Sequence, residues 1–458
     1  MALTGIQIYK LLPRTNCKEC GYPTCLAFAM KLAAKQVELA ACPYVKEESK
    51  TQLAESSAPP IRLVTVKTAS NEFSAGNEVV LFRHEKTYYH KPGLFIRVRD
   101  VDSLDKIQSK VSQVEAYAVG YVGIDLKIDG FAVEAAAGNT AAFTGAVKAV
   151  REISQKPLLL LSKDPAMIAA GFSALSSNGL TTERVLIYGV DENNWEGMAD
   201  LAKQHQASLA VIGNTLDAIA ALTEKIKAKG VEDLVLDPYS RELNSSLAAN
   251  TLIRRLAIKK NFRALGYPTI LFADETQDGV PADPIREGIV ATQGIAKYAG
   301  FIVLSTCAPD VIYPLLVLRQ NIYTDPQKPI QVQPGLYEIN SPRPEDPVLV
   351  TTNFSITYFS VANEVEGSGL RAWLLVVDAE GMSVLTAWAA GKFDADRINK
   401  AFKQFNVADK VSRKQVVLPG HVAVLSGEVE EALPGWEIRV GPREAVDLPR
   451  YMKQALNN

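Results

Sequence analysis

The sequence predicts an α/β multidomain protein with three folded parts. These are a small N-terminal iron–sulfur domain, a (β/α)8 TIM barrel and a C-terminal Rossmann- or flavodoxin-like domain. Three observations predict it. Four of the five cysteines fall in the first 42 residues. Short apolar runs alternate with helix-length segments from Gly93 to Asp325. Two polar, proline-broken stretches, KEESKTQLAESSAPPIR and PQKPIQVQPGLYEINSPRPED, separate these regions. The expected domains are 1–57, 93–325 and 326–458, with a linker and β-rich connector at 58–92.

Composition narrows the possibilities. The chain has 458 residues, 47% of them hydrophobic, enough for several cores. Its net charge is −2 and no long Lys/Arg run occurs, which argues against a nucleic-acid partner. No run of about 18 apolar residues suggests a membrane span. The opening MALTGIQIYKLLPRTN is too short and polar for a secretory signal, so the expected location is cytoplasmic.

In the first part, TCLAFAMKLAAKQVEL (24–39) reads as a helix started by Pro23 and Thr24. The linker follows, and NEVVLFRHEKTYYH reads as β-rich. The barrel runs are LFIRVRD (94–100), YVGIDLKID (121–129), PLLLLS (157–162), RVLIYGV (184–190), LAVIGN (209–214), DLVLDP (233–238), TILFAD (269–274) and FIVLST (301–306). Runs buried on both faces and alternating with helices indicate a parallel sheet, and eight units match a closed barrel, with a doubly wound open sheet as the alternative. Beyond a connector at 326–346, VLVTT (348–352), AWLLVVD (372–378), KQVVLPG (414–420) and WEIRVGP (436–442) read as the strands of the last domain.

The cysteines are spaced C-x2-C-x4-C-x16-C: Cys17, Cys20, Cys25 and Cys42. In a reducing compartment such a group is a metal site. A tight loop supplies three thiolates, Gly21 lets it turn, and Cys42 returns from beyond the helix, followed by Pro43. Four-cysteine zinc sites usually pair their ligands in two C-x2-C knuckles. The second pair is missing here, so the spacing favours a [4Fe-4S] cluster. Cys307, in STCAP, reads as a buried thiol without a ligand role.

TNCKECGYPTCLAFAMKLA with Cys42, the barrel, and a C-terminal domain carrying TTNFSITYF and VVDAEGMSVLTAWAAGKF together give a resemblance over the whole length. The chain resembles the large (gamma) subunits of corrinoid/iron–sulfur proteins of the reductive acetyl-CoA (Wood–Ljungdahl) pathway. The resemblance implies a B12-type corrinoid in the C-terminal domain and a small (delta) subunit as heterodimeric partner. It also implies a methyltetrahydrofolate:corrinoid methyltransferase as methyl donor, acetyl-CoA synthase as acceptor, and a reductive activator or ferredoxin. The cluster would relay electrons that recover the reduced cobalt, with the linker letting its domain move.

No D-x-H-x-x-G motif is present: His90, in YYHKPG, has Tyr88 where Asp is needed. His421, in LPGHVA, reads as a helix-start residue, and a base-off corrinoid is expected. In open α/β sheets ligands lie beyond the carboxyl ends of the strands. The resemblance carries over Thr352, Met382, Ser383, Val384, Leu385 and Thr386 as corrin-side residues. Gly381, Gly420 and Gly441 join them as loop glycines that admit close approach. Plain helix capping would equally explain Thr352 and Ser383.

NNWEGMADLAKQHQASLAVIGN and DLVLDP make the barrel resemble pterin-binding methyltransferases. Asp125, Asn193, Asn214 and Asp237 are its expected strand-end polar residues, read as scaffold remnants or docking elements. Two rival functions remain: a self-contained pterin-dependent methyltransferase with an accessory cluster, and a plain electron-transfer protein binding flavin.

Overall fold

The computed structural model describes residues 4–33, 37, 39–46, 49, 59–82, 88, 90–121, 124–176, 183–279, 281–324 and 330–455. Contacts group the chain into two units, Met1–Ala118 with Lys127–Tyr323, and Val119–Leu126 with Thr324–Asn458. No helix among the described residues is long and apolar enough to cross a membrane.

In the first unit, Thr4 and Gln7 form a capping box that starts helix Gly5–Leu11. This helix packs on helix Cys25–Ala33, and Ile8, Leu12, Phe28, Ala29, Leu32 and Val45 fill a small core around Cys25 and Cys42. The expected helix over 24–39 is shorter than its pattern. Residues 34–36 and 38 lie outside the described ones, and Leu39–Ala41 is a single 3-10 turn.

A hairpin of β1 (Val64–Lys67) and β2 (Glu72–Ala75) follows. The β pairing therefore lies upstream of NEVVLFRHEKTYYH. In that run the described residues contribute one isolated bridge, Ile61 to Glu78. The inward residues Val64, Val66, Phe73 and Ala75 cover the amino end of the barrel, with Phe73 5.4 Å from Phe95 and 5.2 Å from Phe301.

The barrel begins with β3 (Gly93–Arg99). Next, β4 (Ala118–Tyr121) and β5 (Ile124–Lys127) form a separate two-stranded arm. The remaining barrel strands are β6 (Gly130–Glu134), β7 (Leu158–Leu161), β8 (Leu186–Val190), β9 (Ser208–Ile212), β10 (Leu234–Asp237), β11 (Thr269–Phe272) and β12 (Ala299–Leu304), all parallel and closed β12 to β3. The second expected strand, 121–129, is thus corrected to β6. YVGIDLKID carries Asp125, Lys127 and Asp129, which a strand buried on both faces does not tolerate, whereas β6 is buried through its first four residues.

The second unit is built on β13 (Gly335–Ile339), β14 (Val348–Thr352), β15 (Ala372–Val377), β16 (Gln415–Leu418) and β17 (Glu437–Val440), in the order β13-β15-β14-β16-β17. β13 is an antiparallel edge strand inside the stretch read as a connector, and the others are parallel. Prolines on both sides of GLYEI masked it, since Pro is compatible with strand ends and edges. Val365 and Ala362 of helix Ser355–Gly367 pack on one face of the sheet with Leu448 and Met452. Ala387, Ile398 and Val429 pack on the other. The chain runs from β14 to β15 on one side and then crosses back to β16 on the other. The point where strand order reverses therefore lies between β14 and β16.

Candidate functional site

In the cysteine loop, Asn16 and Lys18 have left-handed backbones (φ 49° and 68°), as does Gly21 (φ 82°). These coil the chain between Cys17 and Cys25 into a tight loop. The Asn16 carboxamide accepts the Cys25 N–H at 2.8 Å, and the Asn16 N–H donates to Cys25 Sγ at 3.4 Å. Tyr44 donates to Glu19 at 2.8 Å, tying the loop to the turn that carries Cys42. Cys25 and Cys42 are buried, Cys20 is half-buried and Cys17 is exposed.

Burial pushes the Cys42 thiol up; a backbone hydrogen bond from Tyr44 opposes this, and Cys20, Cys25 and Cys17 add to it. Cys17, Cys20 and Cys25 therefore lie within electrostatic reach of Cys42, at the edge of an apolar core. Four thiolates so placed need cationic neutralisation, and the N–H directed at Cys25 is of the kind that tunes a cluster. The donor set fits a [4Fe-4S] cluster. Among the described residues no three His, Cys, Asp or Glu side chains are grouped closely enough to hold a single metal ion. Cys307 is half-buried rather than buried, donates to Gln113 at 3.3 Å, and has its thiol raised first by burial.

The second unit contains a cavity of about 1020 Å³ over the carboxyl ends of β14 and β16. This is the reversal point of the sheet, where the loops diverge to opposite faces. Leu349, Val350, Thr351, Val417 and Leu418 form its floor. Ile356, Phe359, Ser360 and Asn363, on one face of helix Ser355–Gly367, form a wall. Tyr121 of β4 and the 441–446 loop also line it.

Of the expected residues, Ser383, Val384, Leu385 and Gly441 line this cavity, as do Pro419 and His421 on either side of Gly420. Thr352, Gly381, Met382, Thr386 and Gly420 are not among its lining residues. Thr352 is fully buried at the end of β14, and the cap position of helix Ser355–Gly367 is Phe354, so Thr352 caps no helix. Ser383 sits at the cap position of helix Val384–Ala389 without a side-chain cap bond, and its hydroxyl instead meets Thr386 Oγ1 at 3.0 Å.

Gly381 is left-handed (φ 74°), and a Cβ there would strike the Gln331 side chain at 2.6 Å. Met382 packs on the core. At Gly420 a Cβ would lie 2.5 Å from the Gly441 carbonyl, so the two glycines let the β16 and β17 loops touch backbone to backbone. His421 opens the turn Gly420–Leu425, with Nε2 3.7 Å from Glu444.

Sequence reasoning missed the wall from helix Ser355–Gly367. The signal was present: SITYFSVANEVEG has apolar residues around its whole circumference, so it needs cover on more than one side. Tyr121 carried no such signal.

At the carboxyl end of the barrel, Arg97 bridges Asp274 (2.8 Å), Glu275 (2.6 Å) and Glu134 (3.3 Å). Arg241 bridges Asp237 (2.9 Å) and Glu275 (2.6 Å), and Tyr188 donates to Asp237 at 2.7 Å. Both guanidiniums lie over Phe272. Of the expected strand-end residues, Asp237 is taken up in this network, Asn193 and Asn214 are exposed, and Asp125 lies on the arm rather than at a barrel strand end.

A cysteine loop fit for a cluster, a closed parallel barrel and a sheet with a large crevice at its reversal point define a multidomain protein built for two cofactors. The family model for the CO dehydrogenase/acetyl-CoA synthase delta subunit matches residues 64–452, and one described as "Putative Fe-S cluster" matches residues 12–44. The corrinoid/iron–sulfur protein large subunit of Moorella thermoacetica is 42% identical over 100% of both chains. The acetyl-CoA decarbonylase/synthase complex subunit gamma of Methanopyrus kandleri is 33% identical, covering 99% of this chain and 98% of that one.

Dihydropteroate synthase from Thermus thermophilus matches with 16% identity and a TM-score of 0.37, over 52% of this chain and 99% of that one. The chain belongs to the family of corrinoid/iron–sulfur protein large subunits, the gamma subunits of the acetyl-CoA decarbonylase/synthase complex. The delta-subunit name attaches to the region from residue 64 onward, and the cysteine segment lies outside that match.

Proposed function

We propose that this chain is the methyl-carrying large subunit of a corrinoid/iron–sulfur protein. It holds a base-off corrinoid in the crevice between β14 and β16 and a [4Fe-4S] cluster on Cys17, Cys20, Cys25 and Cys42. The observation that carries the proposal is the large crevice at the sheet's reversal point, in a chain that also bears the four-cysteine loop. When bound, the corrinoid supplies a cobalt that accepts a methyl group and passes it on, and the cluster supplies one-electron reduction.

The chain's own residues do the positioning. Leu385, Val384 and Ser383 form one edge of the opening, and Ile356 and Val446 offer exposed apolar surface to a macrocycle. Asn353 holds the 379–381 backbone in place beneath that edge. The partners that follow are a small (delta) subunit, the methyltetrahydrofolate:corrinoid methyltransferase, acetyl-CoA synthase, and a reductive activator or ferredoxin. A pterin site in this barrel is disfavoured, because Arg97 and Arg241 fill its carboxyl end with ion pairs.

The experiment is anaerobic purification with cobalt and iron analysis, followed by removal of residues 1–58. The full chain is expected to carry both metals. The truncated chain is expected to accept methyl groups after chemical reduction of cobalt and to fail to recover with a protein reductant. Cobalt absent from the full chain, or normal recovery without the cluster segment, would overturn the proposal.

A further inference from the structure

The cysteine segment presents its four thiols unequally. Cys25 and Cys42 are buried and Cys20 is half-buried, so only Cys17 is exposed. An electron arriving from outside has its shortest route at that corner. The surface there is cationic. Lys10, Arg14 and Lys18 flank Cys17 along the chain, and all three are exposed. The Arg14 guanidinium donates to the Tyr9 and Lys10 carbonyls, which hold it beside Lys10 without neutralising it. Lys31 and Lys46 add two more exposed cations. Glu19 is the one carboxylate among the described residues of 4–46, and the Tyr44 hydroxyl already engages it. The whole chain has a net charge of −2, so this segment is opposite in sign to the rest. Apolar surface adjoins the loop. Ile6, Leu26 and Met30 are 63%, 45% and 57% exposed. Leu26 and Met30 stand one turn apart on helix Cys25–Ala33, and Met30 packs on Gly5, next to Ile6. A small apolar spot with a cationic margin suits a transient, electrostatically steered encounter.

We propose that this face, centred on Cys17 and Lys18, docks a small acidic protein that delivers single electrons to the cluster. The donor loses one electron and the [4Fe-4S] cluster gains it, with no bond made or broken. The assignment rests on the cluster reading and adds to it where the donor sits and the sign of the donor's surface. Lys10, Arg14 and Lys18 steer the approach, and Leu26 and Met30 supply the apolar contact.

Full-length wild type, Lys10→Glu, Lys18→Glu and Lys225→Glu, the last on an exposed barrel-helix position, are purified anaerobically. Cluster reduction is followed by freeze-quench EPR with a pre-reduced acidic two-cluster bacterial ferredoxin, and separately with photoreduced deazariboflavin, which is small and uncharged. The wild-type rate constant with ferredoxin is expected to fall steeply as salt is raised. Lys10→Glu and Lys18→Glu are each expected to lower it about tenfold at low salt, and Lys225→Glu to leave it unchanged. Iron content and reduction by deazariboflavin are expected to match wild type throughout. Should Lys18→Glu lose iron, Lys10→Glu on the neighbouring helix decides the comparison. A ferredoxin rate that ignores salt, an unchanged rate in the cluster-segment variants, or an equal loss in Lys225→Glu overturns the docking face. The cluster reading then still stands, because deazariboflavin reduces the wild-type cluster. A wild type with no iron that deazariboflavin can reduce overturns the cluster reading and the docking face with it.

Discussion

The carboxamide oxygen of Asn353 accepts the backbone N–H of Gly381 at 3.0 Å and, with it, that of Ala379 at 2.9 Å. Its amide nitrogen donates to Asp378 and Gln331, both at 3.2 Å. One buried side chain at the end of β14 thereby sets the loop that leads from β15 to the crevice edge. Asn353→Ala strands both N–H groups and is expected to cost about 2–4 kcal/mol. Denaturant unfolding measures the loss. Cobalt content should fall with it, while iron content stays at the wild-type level.

The cluster ligands make a separable test. Cys42→Ala or Cys20→Ala is expected to remove the brown absorption and most of the iron. The β13–β17 sheet should remain folded and able to take up cobalt, because the cysteine segment has a core of its own. Retention of four irons per chain by Cys42→Ala, with an unchanged reduction potential, would show that the fourth ligand lies elsewhere.

At the crevice edge, Ser383 lines the cavity and Thr386 does not. Ser383→Trp puts bulk where a macrocycle must approach. Such overpacking typically costs about 1–3 kcal/mol, or roughly ten- to hundredfold in cofactor retention. The cobalt-to-iron ratio should drop strongly in Ser383→Trp and less in Thr386→Trp. It should stay constant in Ser173→Trp, on an exposed helix position of the barrel. Equal cobalt loss in all three would indicate general destabilisation.

The barrel's ion network predicts an acid limb in stability. Burial pushes the Glu275 carboxyl up, but Arg241 and Arg97 outweigh it and hold it below its ordinary value. A carboxyl with a lowered folded pKa stabilises the fold above its unfolded pKa, near about 4.3. That contribution is lost as pH falls through the folded value. Glu275→Gln is expected to cost about 1–3 kcal/mol at pH 7 and to flatten the fall in melting temperature below about pH 4. Melting curves across the acid range decide it, and an unchanged acid limb in the variant would remove Glu275 as its source.

The sequence alone determined what depends on local pattern. Cysteine spacing picked out Cys17, Cys20, Cys25 and Cys42, and continuous apolar runs marked seven of the eight barrel strands. Each of those features is complete within a few residues. Where neighbours in space decide, local pattern was insufficient. YVGIDLKID alternates well enough for a strand, and only closure of the barrel shows that GFAVE takes the buried place and the earlier segment forms an arm. GLYEI pairs as an edge strand because β15 lies beside it. Thr351 and Thr352 are adjacent and chemically identical, yet only the first lines the crevice, a difference that residue type does not carry. The crevice exists because β14 and β16, with 62 residues between Thr352 and Gln415, are neighbours whose loops diverge, a fact of strand order that no local segment carries.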